Sequence, residues 1–97
     1  MAEVGTKLVF ENEQVKVWEF TLAPGAEIAA HPHEHDYFFY VIEGGTLEVT
    51  RASGVTQATL EEGKVYYRKK GDTHAARNIG AKRYHEVLVE IKAGAAA

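Results

Sequence analysis

Hydrophobic residues occur along this chain in short runs that are rich in β-branched and aromatic side chains, as strands prefer. No window of helical length repeats its apolar residues every three to four positions. Glycines separate the runs at the short intervals that turns between strands produce. The pattern therefore predicts five strands: Val15 to Leu22, Tyr37 to Ile42, Thr46 to Thr50, Val65 to Tyr67 and Tyr84 to Ile91.

Two of these runs carry information about their surroundings. The run Tyr37 to Ile42 is apolar at every position, which is typical of a strand in the middle of a sandwich or at a subunit contact. Along Tyr84 to Ile91, two valines and an isoleucine alternate with Glu86, Leu88 and Glu90. This alternation predicts one largely buried face and one partly solvated face.

The dipeptide Gly44-Gly45 lies between two of the predicted strands. Because glycine adopts a positive φ without steric cost, we interpret the pair as a tight hairpin between antiparallel strands. Many short strands joined by turns indicate an all-β barrel or double-sheet sandwich, closed so that its edges are protected.

Composition limits the possible functions. A chain of 97 residues with 45% hydrophobic residues is long enough for one domain with its own core, and a second domain would not fit. The absence of cysteine excludes thiolate zinc sites, iron–sulfur clusters and a cysteine nucleophile, so any metal must bind nitrogen and oxygen. The net charge is −3 and the basic residues are scattered, which argues against a nucleic-acid partner.

Localisation and domain bounds are predicted from the distribution of apolar and charged residues. No stretch approaches the ~20 apolar residues that cross a bilayer, and Met1 to Phe10 lacks a basic start followed by an apolar signal core. We expect a cytoplasmic protein without a membrane partner. Residues 1–92 are expected to form the single domain, and the alanine-rich residues 93–97 a flexible tail.

Three of the five histidines lie within five residues, in the segment His31-Pro32-His33-Glu34-His35. In an extended segment His31 and His33 present their imidazoles on one face, and His35 joins them if the strand is regular. Such a pair suits a first-row metal. The alternative is a polar loop that contains histidines without binding a metal.

His74 is a further candidate ligand from a distant part of the sequence. Taken alone, a histidine after a Gly-Asp turn is more often a surface or hydrogen-bonded structural residue. Only the spacing of residues around His74 and around the histidine cluster supports His74 as a ligand. The first spaced series is Gly25, His31, His33, Tyr37 and Gly44. The second series is Gly63, Gly71, His74 and Asn78.

These two series resemble the two motifs of the cupin family, whose members fold as jelly-roll β-barrels, also called double-stranded β-helices. In that family the first motif supplies two histidines and a glutamate, the second supplies one histidine, and together they bind a metal inside the barrel. The resemblance implies a single-domain cupin in which His31, His33 and His74 hold one divalent transition metal. Small cupins usually pair through sheet edges, so a homodimer through Lys7 to Glu11 or Tyr37 to Ile42 is also expected.

Two positions depart from the cupin pattern. Tyr37 stands where the first motif expects glutamate, and Lys69 stands where the second expects proline. Without the glutamate, a divalent ion would keep its full charge among three neutral imidazoles. The Tyr37 phenol can hydrogen-bond a metal-bound water, ligate as a phenolate, or pack beside the site, and we favour the first role. The heptapeptide HPHEHDY also looks like the signature of a subgroup of very small cupins, some of which are associated with β-alanine catabolism.

Three further residues near these motifs have other candidate roles. His35 is an additional candidate ligand, and Asp36 is a candidate for orienting an imidazole through its carboxylate. An exposed turn is the simpler interpretation of both residues. His85, on the last predicted strand, is interpreted as a structural or rim residue.

A three-histidine centre suggests several reactions. Fe(II) would support dioxygenase-type chemistry, whereas zinc would support lyase, isomerase or hydrolytic chemistry, and nickel, copper and manganese also suit imidazole ligands. A cationic centre favours a small anionic substrate. The alternative function is a non-catalytic small-molecule-binding or sensor cupin without an obligatory metal, in which arginines bind the ligand. The candidates for that role are Arg51, Arg68 and Arg77.

Overall fold

The computed structural model describes residues 3–92, so the tail expected at residues 93–97 lies outside the described residues. Within this range the chain forms strands and turns only, and no helix is available to cross a membrane. The nine strands are β1 (Lys7–Glu11), β2 (Val15–Leu22), β3 (Glu27–Pro32), β4 (Asp36–Glu43), β5 (Gly45–Arg51), β6 (Gly54–Leu60), β7 (Val65–Arg68), β8 (Thr73–Asn78) and β9 (Tyr84–Ile91).

The strands form two antiparallel sheets that enclose one core, so the all-β class is confirmed. One sheet has five strands in the order β1-β2-β9-β4-β7, and the other has four in the order β3-β8-β5-β6. All five predicted strands are present, and β1, β3, β6 and β8 lie outside the predicted runs. One of these four is β6. Its side chains are largely exposed, so it lacks the alternation of a half-buried strand.

The apolar run in β4 is explained by its interior position between β9 and β7. Tyr37, Phe39 and Val41 point into the core, where each is at most 6% exposed. The intervening side chains face outward, and Tyr40 and Ile42 are exposed there. The strand thus combines a core face with an apolar outer surface.

The two faces of β9 are the reverse of what its hydrophobic pattern suggests. The buried face carries Tyr84, Glu86, Leu88 and Glu90, whereas the alternating apolar residues lie on the partly exposed outer face. Each buried carboxyl has a hydrogen-bond donor: Tyr84 donates to Glu86 at 2.6 Å and Trp18 donates to Glu90 at 2.7 Å. These partners offset the cost of burying polar groups, which hydrophobicity alone cannot anticipate.

The interpretation of Gly44-Gly45 as a hairpin is wrong. The strands on either side, β4 and β5, belong to different sheets, so the dipeptide is a crossing between sheets. Neither glycine has a positive φ. A Cβ on Gly44 would lie 2.7 Å from the Leu60 carbonyl oxygen and 2.8 Å from the Glu62 nitrogen, so the glycine permits close backbone approach.

Candidate metal centre

Three imidazoles from distant parts of the sequence meet inside the barrel. His31 on β3 and His74 on β8 are cross-strand partners, and His33 follows β3 directly. The three ring centroids lie 4.8–4.9 Å apart. One nitrogen from each ring can be chosen so that all three lie within 4.8 Å of one another. The spacing is compatible with nitrogen ligation of a single ion after small side-chain adjustments.

The backbone explains how His33 reaches this position although β3 has ended. Its amide donates to the Asp72 carbonyl at 2.7 Å, and the Gly71 amide donates to the His33 carbonyl at 2.9 Å. Gly71 has a φ of 105°, a conformation that favours glycine. The turn before β8 therefore holds the second histidine of the cluster beside the third.

Hydrogen bonds orient two of the imidazoles. His31 Nδ1 lies 2.8 Å from the Ala29 carbonyl oxygen, and His74 Nδ1 lies 2.7 Å from the Asp72 carboxylate. Because both partners are acceptors, each Nδ1 carries the proton and each neutral ring keeps its Nε2 lone pair for a ligand. Asp72 is itself fixed by Arg51, whose Nε and terminal nitrogen donate to the carboxylate at 2.8–3.1 Å.

The environment of His31 and His33 favours their neutral form. Burial lowers the pKa of His31, and burial together with the neighbouring histidines lowers the pKa of His33 to about 3. The hydrogen bond from Arg51 holds the pKa of Asp72 well below its usual range, so this carboxylate is ionised. Neutral imidazoles backed by a carboxylate are the form in which histidine binds a metal.

The contact between His33 and His74 supports the fit to a cation. Their Nε2 atoms are 3.2 Å apart, and His74 offers only a lone pair there. Either His33 donates a proton to His74, or both lone pairs face a shared ion. His33 Nδ1 is buried without a hydrogen-bond partner within residues 3–92. The donor set of three nitrogens therefore suits a first-row transition metal.

Tyr37 lies directly against this centre. Its ring stacks on the His33 ring with centroids 4.0 Å apart and an angle of 14° between the planes. Burial raises the pKa of the Tyr37 phenol to about 12, so the residue is a neutral phenol at neutral pH. Its position fits both packing beside the centre and hydrogen bonding within the cavity.

The other candidate residues of the histidine segment lie elsewhere. His35 is half-buried and borders a separate depression together with Glu34 and Glu90, and the three-histidine group does not include it. Asp36 accepts hydrogen bonds from the Lys70 amide and the Tyr67 hydroxyl, so it orients no imidazole. His85 contacts Glu19 at 3.1 Å on the outer side of β9.

The centre opens into a cavity of about 100 Å³ between the two sheets. Its lining includes the three histidines, Tyr37, Arg51, Arg68 and Glu86, together with apolar residues of both sheets. Arg51 is engaged by Asp72, and Arg77 pairs with Glu48 instead of reaching the cavity. Arg68 lies 5.5–5.8 Å from the Tyr66 and Phe39 rings and has no carboxylate within ion-pair distance among the described residues.

Two residues of this site, Asp72 and Glu86, were not predicted from the sequence. Asp72 lies two positions before His74, so the alternation of an extended segment was an available signal for their contact. Glu86 gave no signal, because a glutamate in an alternating strand usually marks the solvated face.

The sequence matches the family model of the cupin domain over residues 18–90. The chain belongs to the cupin family. Among its relatives is the beta-alanine degradation protein BauB of Pseudomonas aeruginosa, 39% identical over 82 residues, which are 84% of this chain and 86% of that protein.

Solved cupin structures agree with this assignment. A cupin domain protein from Bordetella pertussis is 32% identical with a TM-score of 0.86, covering 90% of this chain and 91% of that one. A protein with a double-stranded β-helix domain from Klebsiella pneumoniae is 31% identical with a TM-score of 0.71, covering 91% and 76%. The jelly-roll prediction is thereby confirmed.

Proposed function

We propose that this cupin binds one divalent transition metal through His31, His33 and His74 and acts on a small anionic organic molecule. The observation that carries the proposal is the convergence of three imidazoles, two of them oriented by hydrogen bonds, on a cavity between the sheets. Fe(II) and zinc are the proposed ions, and nickel, copper and manganese are also compatible with imidazole ligands. Bound there, such an ion would supply a positive centre that polarises a substrate carbonyl or carboxylate, or would support dioxygenase-type chemistry.

The substrate class is supported by charge and by size. Arg68 brings a guanidinium without a carboxylate partner to the cavity lining, and a guanidinium binds carboxylates well. A volume of about 100 Å³ suits a molecule of a few carbon atoms. The similarity to a beta-alanine degradation protein is consistent with a small carboxylate, and we propose that class without naming a compound.

Tyr37 is proposed to donate a hydrogen bond to a water or substrate oxygen at the centre. Its neutral phenol and its stacking on His33 support this role. Tyr37→Phe keeps the ring and removes the hydroxyl. The variant should retain metal and alter activity. Loss of the metal, as in a ligand variant, would instead identify Tyr37 as a ligand.

Metal content is the direct test of the proposed function. Protein produced without a histidine tag should hold about one equivalent of a transition metal after anaerobic reconstitution with Fe(II) or zinc. Oxygen consumption with small β-dicarbonyls and carboxylates then separates a dioxygenase from a lyase or isomerase. Less than about a tenth of an equivalent would refute the metal site and favour the metal-free binding function.

A homodimer and a cytoplasmic location are also proposed. Within residues 3–92, eight of the ten exposed large hydrophobic residues belong to the five-stranded sheet, which supports pairing of two copies through this sheet. Light scattering should give a mass of about twice 10.7 kDa, and a monomer would contradict the pairing. Recovery in the soluble cytoplasmic fraction would support the location, and export would contradict it.

A further inference from the structure

Glu86 is a buried carboxyl group in the wall of the cavity that contains the three histidines. It lies on the inner face of β9 and is only 4% exposed. Its cross-strand neighbours are Phe20 on β2 and Val41 on β4, and both are apolar. Glu86 is not one of the proposed metal ligands. Burying a carboxyl group in the wall of a cavity is costly unless the group is neutral or paired.

The hydrogen bonding of Glu86 fixes which oxygen faces the cavity. The Tyr84 hydroxyl donates to Oε1 at 2.6 Å, and Tyr84 is itself fully buried. Because Oε1 accepts, a proton on this carboxyl resides on Oε2. No described residue forms a hydrogen bond with Oε2, which leaves it available to a molecule in the cavity.

The groups around Glu86 determine its protonation. Tyr84 lies on its own strand, Tyr37 on β4 and Arg68 on β7, whereas β2 presents the apolar Phe20. The opposite sheet presents the three histidines and Arg51 to the same cavity. Burial raises the pKa of Glu86 to about 8, although the Tyr84 hydrogen bond and the charge of Arg68 both lower it. Near neutral pH the carboxyl is therefore mostly protonated.

We propose that Glu86, as a neutral carboxylic acid, donates a hydrogen bond from Oε2 to a small carboxylate bound in the cavity. This inference rests on the proposed function, since it assumes an anionic ligand beside the histidines. A neutral acid binds an anion without charge repulsion, and Arg68 supplies the compensating positive charge from β7. Ionisation of Glu86 would place a second negative charge in the cavity and weaken binding of the ligand.

Affinity for a simple carboxylate tests this arrangement. Binding of propionate to the zinc-loaded protein is measured by calorimetry between about pH 6 and pH 9.5, alongside Glu86→Gln. Once the pH exceeds the pKa of Glu86 in the zinc-loaded protein, the wild-type affinity should fall by up to tenfold per pH unit because of Glu86. Hydroxide competition at zinc lowers affinity in both proteins, so the ratio of the two affinities isolates the effect of Glu86.

Glu90→Gln is the matched control, because Glu90 is the other buried glutamate of β9 and accepts its hydrogen bond from Trp18. It should keep the wild-type pH profile. Infrared spectra near pH 7 provide a readout that requires no ligand. The carbonyl stretch of a protonated carboxylic acid should be present in the wild type and in Glu90→Gln, and absent in Glu86→Gln.

Three results would overturn the inference. They are the same pH profile in the wild type and Glu86→Gln, the absence of the infrared band from the wild type, and no propionate binding at any pH. Zinc content is measured in each sample. A full equivalent of zinc with any of these results refutes the role of Glu86 and leaves the metal site intact, whereas loss of zinc refutes the proposed function separately.

Discussion

The two sheets bring different kinds of group to the same cavity. The four-stranded sheet and its adjoining turns carry the three histidines, and hydrogen bonds already orient two of them through Ala29 and Asp72. The five-stranded sheet contributes the Tyr37 phenol, the Arg68 guanidinium and the Glu86 carboxyl. One side therefore presents oriented electron-pair donors, and the other presents hydrogen-bond donors and positive charge.

This difference suggests a division of roles. Three imidazoles backed by an ionised carboxylate match the requirements of a metal ion. Hydrogen-bond donor atoms on the other side that have no protein partner within residues 3–92 match the requirements of an anionic organic ligand. A ligand in the cavity would contact both sheets at once, so each side can be altered separately by substitution.

The largest expected effect belongs to the histidine side. His33→Ala removes one of three nitrogen ligands and should reduce the bound metal from about one equivalent to below about a tenth. His35→Ala is the control, since His35 lies outside the three-histidine group and should retain nearly all the metal. Elemental analysis after reconstitution measures both variants. Equal losses from the two variants would make His35 a ligand.

The stability of Glu86→Gln tests whether the buried carboxyl of the five-stranded sheet is protonated in the folded protein. A carboxyl whose folded pKa is raised from 4.5 to about 8 binds its proton more tightly in the folded protein, so stability falls as pH rises between these values. The total change should be several kcal/mol at most, at ~1.4 kcal/mol per unit of pKa shift. The variant should therefore be more stable than the wild type at about pH 9 and similar at low pH.

Chemical denaturation at several pH values measures this effect. Glu90→Gln, on the same buried face, is the control for replacing a buried glutamate by glutamine. Parallel stability curves for the wild type and Glu86→Gln would mean that Glu86 does not hold a proton in the folded protein.

The smallest of the three effects concerns the support of His74. Asp72→Asn removes the carboxylate that accepts the His74 Nδ1 proton and should weaken metal binding by roughly 10- to 100-fold. Asp36→Asn is the control, because Asp36 binds Lys70 and Tyr67 away from the imidazoles. Metal affinities from competition with a chelator distinguish the two. Unchanged affinity in Asp72→Asn would show that the histidine side needs no carboxylate support.

Local patterns of the sequence predicted much of the fold. The strands β2, β4, β5, β7 and β9 follow from apolar and β-branched runs because each buries at least part of one face. The spacing of the histidine motifs predicted the jelly roll through a family resemblance. The predictions were wrong where a residue is explained by its contacts with residues that are distant in sequence. Gly44 accommodates the backbone of Leu60 and Glu62, and the glutamates of β9 are tolerated through Tyr84 and Trp18.

The sequence by itself determined the all-β class, the exclusion of thiolate chemistry and the set of candidate imidazoles, since these depend on composition and on short-range periodicity. Only the tertiary structure decided which face of β9 is buried, that Asp72 and not Asp36 supports a histidine, and that Glu86 shares the cavity with the three histidines. The physical reason is that burial and hydrogen bonding depend on groups brought together from distant strands. Those contacts set the protonation of each side chain.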